Sequence, residues 1–130
     1  MRMFKAVVCA VTVALFLAGC SMHKPIYNIT EAPVAASKPL DANQVKTAIV
    51  SAGGALGWRM REVSPGMLEG TLVLREHTAV VDIAYSAKSY SITYKSSVKL
   101  DEKDGQIHKN YNGWITNLNK GISTQLALAS

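Results

Sequence analysis

Apolar residues dominate one stretch near the start of the chain and are regularly spaced in most of the rest. Residues 6–18 are almost continuously apolar and follow Arg2 and Lys5. This run is shorter than the roughly 20 apolar residues that a membrane-spanning helix needs. Positive residues followed by a short apolar run are typical of a signal peptide. We therefore predict that residues 1–19 are a signal peptide and lie outside the folded domain.

The next segment follows no hydrophobic period. Residues 21–40 contain three prolines and many small residues, which is typical of a linker. A flexible chain of this length has an r.m.s. span of about 25 Å. We predict a flexible tether over residues 20–40 and a single domain over residues 41–130.

Two segments of this domain have the apolar spacing of amphipathic helices. In the first, Asp41 followed by Gln44 matches a capping box. Its apolar stripe consists of Val45, Ala48, Ile49, Ala52 and Leu56. The second helix is predicted from about His108 to Leu126, with a stripe of Tyr111, Trp114, Ile115, Leu118, Ile122 and Leu126.

Between the helices, apolar and polar residues alternate with the period of two that half-buried strands show. Four strands are predicted, over residues 58–63, 67–75, 78–85 and 89–96. Ser64-Pro65-Gly66 forms the first turn, where a three-residue loop with a bulge places Trp58 and Met60 on the apolar face.

Hairpins closed at residues 75–78 and 86–89 put all apolar partners on one face of the sheet. The predicted pairs are Leu74 with Ala79, Leu72 with Val81, Gly70 with Ile83, Tyr85 with Tyr90, Ile83 with Ile92, and Val81 with Tyr94. The predicted fold is α+β, in the order α-β-β-β-β-α. It has a four-stranded antiparallel meander sheet with both helices packed on its apolar face.

Leu17-Ala18-Gly19-Cys20 ends the apolar run of the signal peptide. These residues resemble the bacterial lipobox, in which small residues precede a cysteine that is acylated and becomes the mature N-terminus. The resemblance implies lipidation of Cys20 and stable attachment to a membrane by three acyl chains. Ser21 stands where an aspartate would retain the protein at the inner membrane, so the resemblance implies an outer-membrane lipoprotein that faces the periplasm.

A second resemblance lies in the predicted C-terminal helix. The segment IHKNYNGWITNL, residues 107–118, is similar to segments of small proteobacterial lipoproteins without an assigned activity. It implies no catalytic residues.

Cysteine content and charge narrow the range of chemistry. Cys9 would be removed with the signal peptide and Cys20 would be acylated, so thiol catalysis, disulfides and thiolate metal sites are not expected. Removing residues 1–19 lowers the net charge from +5 to +3, because Arg2 and Lys5 are lost. So small an excess on an exported chain makes nucleic acid an implausible partner.

Candidate catalytic and metal-binding patterns are also missing from the sequence. His23, His77 and His108 have no metal-ligand spacing, and the acidic residues of the loop 101–106 lack the spacing of a calcium loop. No G-x-S-x-G motif occurs. We expect no enzymatic activity, no metal and no cofactor.

The face of the predicted sheet opposite the helices is the candidate binding surface. It carries Arg59, Arg61, Glu69, Thr71, Val73, Arg75, Val80, Asp82, Ala84, Thr93 and Lys95. We take Arg59, Arg61, Thr71, Arg75, Thr93 and Lys95 as partner-binding candidates. The alternative is an ordinary solvated face with cross-strand ion pairs such as Arg61 with Glu69. Exposed edge strands would offer a second route, β-augmentation.

These observations favour a non-enzymatic outer-membrane lipoprotein whose tethered periplasmic domain binds another protein or an anionic component of the cell envelope. The alternative is an inhibitor or immunity-type protein against a cell-wall hydrolase. In that case, the loop 64–66 or the loop 101–106 would enter the cleft of the hydrolase.

Overall fold

A computed structural model describes residues 22–130, so the predicted signal peptide, the lipobox and Cys20 lie outside the described residues. The described part of the chain contains seven strands and two helices. In chain order they are β1 (His23–Pro25), β2 (Ile29–Pro33), α1 (Ala42–Ala55), β3 (Arg59–Ser64), β4 (Met67–Leu74), β5 (His77–Tyr85), β6 (Ser89–Val98), β7 (Gln106–His108) and α2 (Lys109–Ala129). Neither helix combines the length and the apolar character that crossing a membrane requires.

Helices and sheet share one hydrophobic core. The main sheet has five antiparallel strands in the order β2-β6-β5-β4-β3, and β1 pairs with β7 in a separate two-stranded sheet. Buried residues of α1, α2 and one sheet face form a single cluster. The predicted α+β class, with an antiparallel sheet and two helices, is confirmed. The predicted number of strands is wrong.

Helix α1 begins where the sequence predicts. The Asp41 carboxylate accepts a hydrogen bond from the Gln44 backbone N–H at 2.8 Å, and the Gln44 side-chain oxygen accepts one from the Asp41 N–H at 2.9 Å. This capping box satisfies N–H groups that the helix itself leaves unpaired. The predicted stripe is buried up to Ala52, whereas Leu56 is 43% exposed because it follows the last helical residue.

Helix α2 buries five of the six residues predicted for its apolar stripe, and Trp114 is only partly buried. The Nδ1 atom of His108 caps this helix by accepting a hydrogen bond from the Asn110 backbone N–H at 3.1 Å. The two helices approach closely at Gly121, where an added Cβ would lie 3.4 Å from the Cβ of Ala52.

The segment predicted to be a flexible tether is part of the fold. Ile29 of β2 lies opposite Ile92 of β6 and is only 7% exposed. Beyond β2, the Val34 backbone N–H donates to the Lys88 carbonyl oxygen at 2.9 Å. The tether prediction is therefore corrected for residues 22–40, and β6, which was expected to be an edge strand, lies inside the sheet.

The sequence concealed these two strands for physical reasons. Both are short, and β2 has a bulge between Ile29 and Ala32 that interrupts the alternation. Pro25 and Pro33 occupy the last positions of β1 and β2, where a missing backbone N–H is tolerated.

The predicted register between β5 and β6 is confirmed for all three pairs. Between β4 and β5, the predicted register is wrong by two residues. The structure pairs Leu74 with His77, Leu72 with Ala79, Gly70 with Val81, and Leu68 with Ile83. The turn is accordingly the pair Arg75–Glu76, and Arg75 has a φ of 60°. A shift of two residues keeps each side chain on the same face, so the apolar pattern does not distinguish the two registers.

The hairpin of β3 and β4 has the bulge that the sequence predicts, located between Glu62 and Ser64. Its loop is the two-residue Pro65–Gly66, shorter than the expected three residues. Trp58 is 3% exposed and Met60 packs against the core, so both lie on the predicted apolar face.

Candidate functional site

The sheet face opposite the helices carries most of the predicted binding residues. We call this surface, centred on β3, β4, β5 and β6, the open face. Across it, Arg59 lies opposite Thr71, and Arg61 lies opposite Glu69. Thr93 lies opposite Asp82. The alternation of two residues therefore brings together five of the six predicted residues: Arg59, Arg61, Thr71, Thr93 and Lys95.

Arg75 is the exception among the predicted residues. It lies in the turn between β4 and β5 and in neither strand. The shorter turn is the reason, since the predicted register assigned Arg75 to the end of β4. Arg75 therefore belongs to one end of the sheet and not to the middle of the open face.

Glu69 organises the charges at the centre of the open face. Its carboxylate accepts a hydrogen bond from Arg61 Nη2 at 2.9 Å and another from Lys95 Nζ at 2.6 Å. The hydrogen bond from Lys95, followed by that from Arg61, lowers the pKa of Glu69 below its ordinary value. The same contact with Glu69 raises the pKa of Lys95, with a smaller contribution from Asp82, whose carboxylate lies 3.9 Å away.

A β-bulge in β6 accompanies this network. Val81 pairs with Tyr94 and Val80 pairs with Ser96, so Lys95 is an extra residue between two regular pairs. Bulges bend a strand and redirect a side chain. The sequence predicts the pair of Arg61 and Glu69 but not the three-membered network, because the bulge leaves no mark in the alternation.

Arg59 differs from the two basic residues of the network. Within residues 22–130 it makes no ion pair, and its side chain is exposed. It borders a shallow depression of about 300 Å³, which Arg61, Glu69 and Thr71 also line. The open face thus combines a fixed, largely neutralised centre with a cationic side chain beside it.

The edges of the sheet are β2 and β3. The bulge and the terminal proline of β2 are features that protect an edge from pairing. Strand β3 has its own bulge and carries the charged residues Arg59, Arg61 and Glu62. The β-augmentation route therefore meets charged or interrupted strands at both edges.

Two of the three histidines meet where β1 pairs with β7. His23 lies opposite His108, and their rings are edge to face with centroids 6.3 Å apart. His23 Nε2 lies 3.7 Å from an Asp101 carboxylate oxygen. His77 lies elsewhere, opposite Leu74. Among the described residues, no group of three or more His, Cys, Asp or Glu side chains is arranged to hold a metal ion.

The tyrosines of β5, β6 and α2 contribute to the core, as the sequence predicts. Tyr90 is buried, and its hydroxyl donates a hydrogen bond to the Asn119 side chain. Tyr94 packs edge to face against Tyr111 at a centroid distance of 5.6 Å. The Tyr111 hydroxyl is buried without a hydrogen-bond partner in the described part of the chain, and burial raises its pKa.

Comparison with known proteins adds no relative. No protein-family model matches this chain, and no curated protein or solved structure matches it at a significant level.

Proposed function

We propose that the protein is a non-enzymatic outer-membrane lipoprotein, acylated at Cys20, whose periplasmic domain binds another envelope protein through the open face. The observation that carries the binding proposal is that both helices pack into a core on one side of the sheet. The other side presents a preorganised set of charges to solvent.

The chemistry of the open face favours an acidic partner surface. Arg61 uses one guanidinium nitrogen to bind Glu69, and its side chain is 67% exposed. Because a guanidinium group has five N–H donors, most of them remain available to carboxylates of a partner. Arg59 adds a second exposed guanidinium two residues away. Thr71 and Thr93 supply neutral hydroxyl groups beside the two arginines.

The fixed centre reduces the cost of binding. Side chains that are ordered before association lose less conformational entropy when they bind. Glu69 holds both Arg61 and Lys95 in place through the contacts described above. A partner carboxylate would meet donors that are already oriented.

The proposed interface can be tested by photo-crosslinking in intact cells. A photoreactive amino acid would replace Thr71, Thr93 or, as a control, Lys120, which is exposed on α2. We expect one discrete adduct from positions 71 and 93 and none from position 120. Arg59→Glu, introduced together with the reporter at position 93, should reduce the adduct at least several-fold. Lys120→Glu should leave it unchanged.

An adduct that forms equally from all three positions, or that is insensitive to Arg59→Glu, would contradict the open-face interface.

Lipidation is tested separately. Cys20→Ala should abolish acylation and cause the unprocessed precursor to accumulate, as measured by mass spectrometry of the purified protein. Normal processing of this variant would contradict the assignment as a lipoprotein.

A further inference from the structure

The fold begins very close to the cysteine proposed to carry the lipid. The Met22 carbonyl oxygen accepts a hydrogen bond from the Lys109 backbone N–H at 2.8 Å. Strand β1 then pairs with β7 over its whole length. The chain is therefore fixed to the domain from the second residue after Cys20.

This arrangement limits how far the domain can stand from the membrane. Two residues span at most about 7 Å even when fully extended, whereas the predicted flexible tether would have spanned about 25 Å. We propose that the end of the domain formed by β1, β7 and the turn between β4 and β5 lies against the phospholipid headgroups of the membrane that holds the acyl chains. This inference rests on the proposed lipidation of Cys20.

Backbone contacts connect β1 to this end of the main sheet. The His108 N–H, in β7, donates to the Leu100 carbonyl oxygen at 2.9 Å. Leu100 follows the end of β6 by two residues. At that end, Val98 lies opposite Thr78, which in turn lies opposite Val73 of β4. We call this part of the molecule the anchor end.

The anchor end exposes four large apolar side chains. The large apolar residues that are exposed there are Met22 (48%), Val73 (55%), Leu74 (45%) and Val98 (53%). Val73 and Val98 are separated by one intervening strand, or about 10 Å. Apolar side chains exposed at this end could enter the boundary between headgroups and acyl chains.

Charged residues at the anchor end suit a headgroup surface and not the hydrocarbon interior. Its basic residues are Lys24, Arg75, Lys99, Lys103 and Lys109. Its acidic residues are Glu76, Asp101, Glu102 and Asp104, of which Glu76 pairs with Lys99 at 3.4 Å. Because the basic excess is small, the acyl chains supply most of the membrane affinity, and the anchor end determines the orientation.

The opposite end of the domain provides an internal reference. Helix α2 starts at the anchor end and contains 21 residues, so it extends about 30 Å along its axis at 1.5 Å per residue. Leu128, near its C-terminus, is 72% exposed. A reporter there samples a position far from the membrane if the domain is held as proposed.

Site-specific quenching distinguishes this orientation from free tumbling on a tether. The mature acylated protein, carrying Val98→Cys or Leu128→Cys labelled with a small fluorophore, would be reconstituted into phosphatidylethanolamine and phosphatidylglycerol vesicles containing a headgroup-quencher lipid. The acylated Cys20 does not react with the label. We expect the label at position 98 to be quenched at least three-fold more than the label at position 128.

A matched control restores the missing tether. Insertion of 20 Gly/Ser residues between Ser21 and Met22 gives an r.m.s. span of about 25 Å and should equalise the quenching of the two labels. Equal quenching without the insertion, in protein whose acylation is verified by mass spectrometry, would overturn the orientation and leave the lipoprotein assignment intact. A persistent difference with the insertion would overturn the distance argument. Absence of the acyl group would instead refute the proposed function.

Discussion

The most decisive test of the fold concerns Ile29, because the flexible-tether prediction and the structure assign it opposite environments. In a flexible tether, Ile29→Ala would change the free energy of unfolding by less than about 0.5 kcal/mol, as surface substitutions usually do. In the structure, Ile29 is 7% exposed, lies opposite Ile92 and belongs to the core cluster. Truncating a buried isoleucine to alanine costs about 2–5 kcal/mol.

The position of Ile29 narrows this range. It lies on an edge strand, where neighbours can close part of the cavity and solvent is near, so we expect the lower part of the range, about 2–3 kcal/mol. For a domain of this size, each kcal/mol corresponds to about 4 °C in Tm. The expected decrease in Tm is therefore roughly 8–12 °C.

Urea denaturation followed by far-ultraviolet circular dichroism measures the effect. Ile29→Ala and its control variant would be made in the chain without residues 1–19 and with Cys20→Ala, so that the lipid does not interfere. Thr30→Ala is the matched control, since Thr30 is adjacent and exposed. If Ile29→Ala and Thr30→Ala agree within about 0.5 kcal/mol, the docking of β2 against β6 is refuted.

Three further outcomes follow from individual contacts. Tyr111→Phe should stabilise the domain by about 1 kcal/mol, because it removes a buried hydroxyl without a partner; a loss of stability in thermal denaturation would contradict this account. Asp41→Ala should destabilise the domain by about 1 kcal/mol through loss of the N-cap of α1, whereas Asp41→Ser should retain most of the stability in the same urea assay. Glu69 should titrate below its ordinary pKa of about 4.3 when followed by NMR, and Lys95→Ala should move its pKa upward. Because the folded-state pKa is lowered, the stabilising contribution of Glu69 is present above the unfolded-state pKa and is lost as the pH falls through the folded-state value. An unchanged Glu69 pKa in the Lys95→Ala variant would contradict the charge network.

The parts of the fold that the sequence predicts are those where several local signals agree. Asp41 and Gln44 match a capping box directly before a helical stripe, and the structure contains both the capping box and the buried stripe of α1. In the part of the β5–β6 hairpin between Val81 and Tyr94, aromatic and branched residues alternate without interruption, and only one short turn aligns them. Local propensity, hydrophobic period and turn length then specify one pairing register.

The parts that the sequence does not predict depend on long-range pairing. Strand β2 has a single buried residue, Ile29, and its partner strand is about 60 residues away, so no local period reveals it. The register of β4 against β5 is degenerate because a shift by two residues preserves the apolar face.

The candidate site also combines features that the sequence predicts with features that depend on strand pairing. The alternation of residues predicts that Arg59, Arg61 and Thr71 share one face. The bulge at Lys95, which accompanies the network around Glu69, leaves no mark in this alternation and is visible only in the pairing of β5 with β6.

The long-range pairing of β1 and β2 also has a consequence for the proposed export. If the chain crosses the membrane from its N-terminus, as proposed, β2 would have no partner until β6 had crossed, and β1 would have none until β7 had crossed. The residues that follow Cys20 would then be unpaired during most of translocation, which would leave a lipobox accessible to the enzymes that acylate and cleave it. Pairing with β7 would then follow late in folding, because the entropy cost of loop closure must be overcome before distant parts of a chain come into contact. In the proposed lipoprotein, the topology itself would separate modification of the N-terminus from completion of the fold.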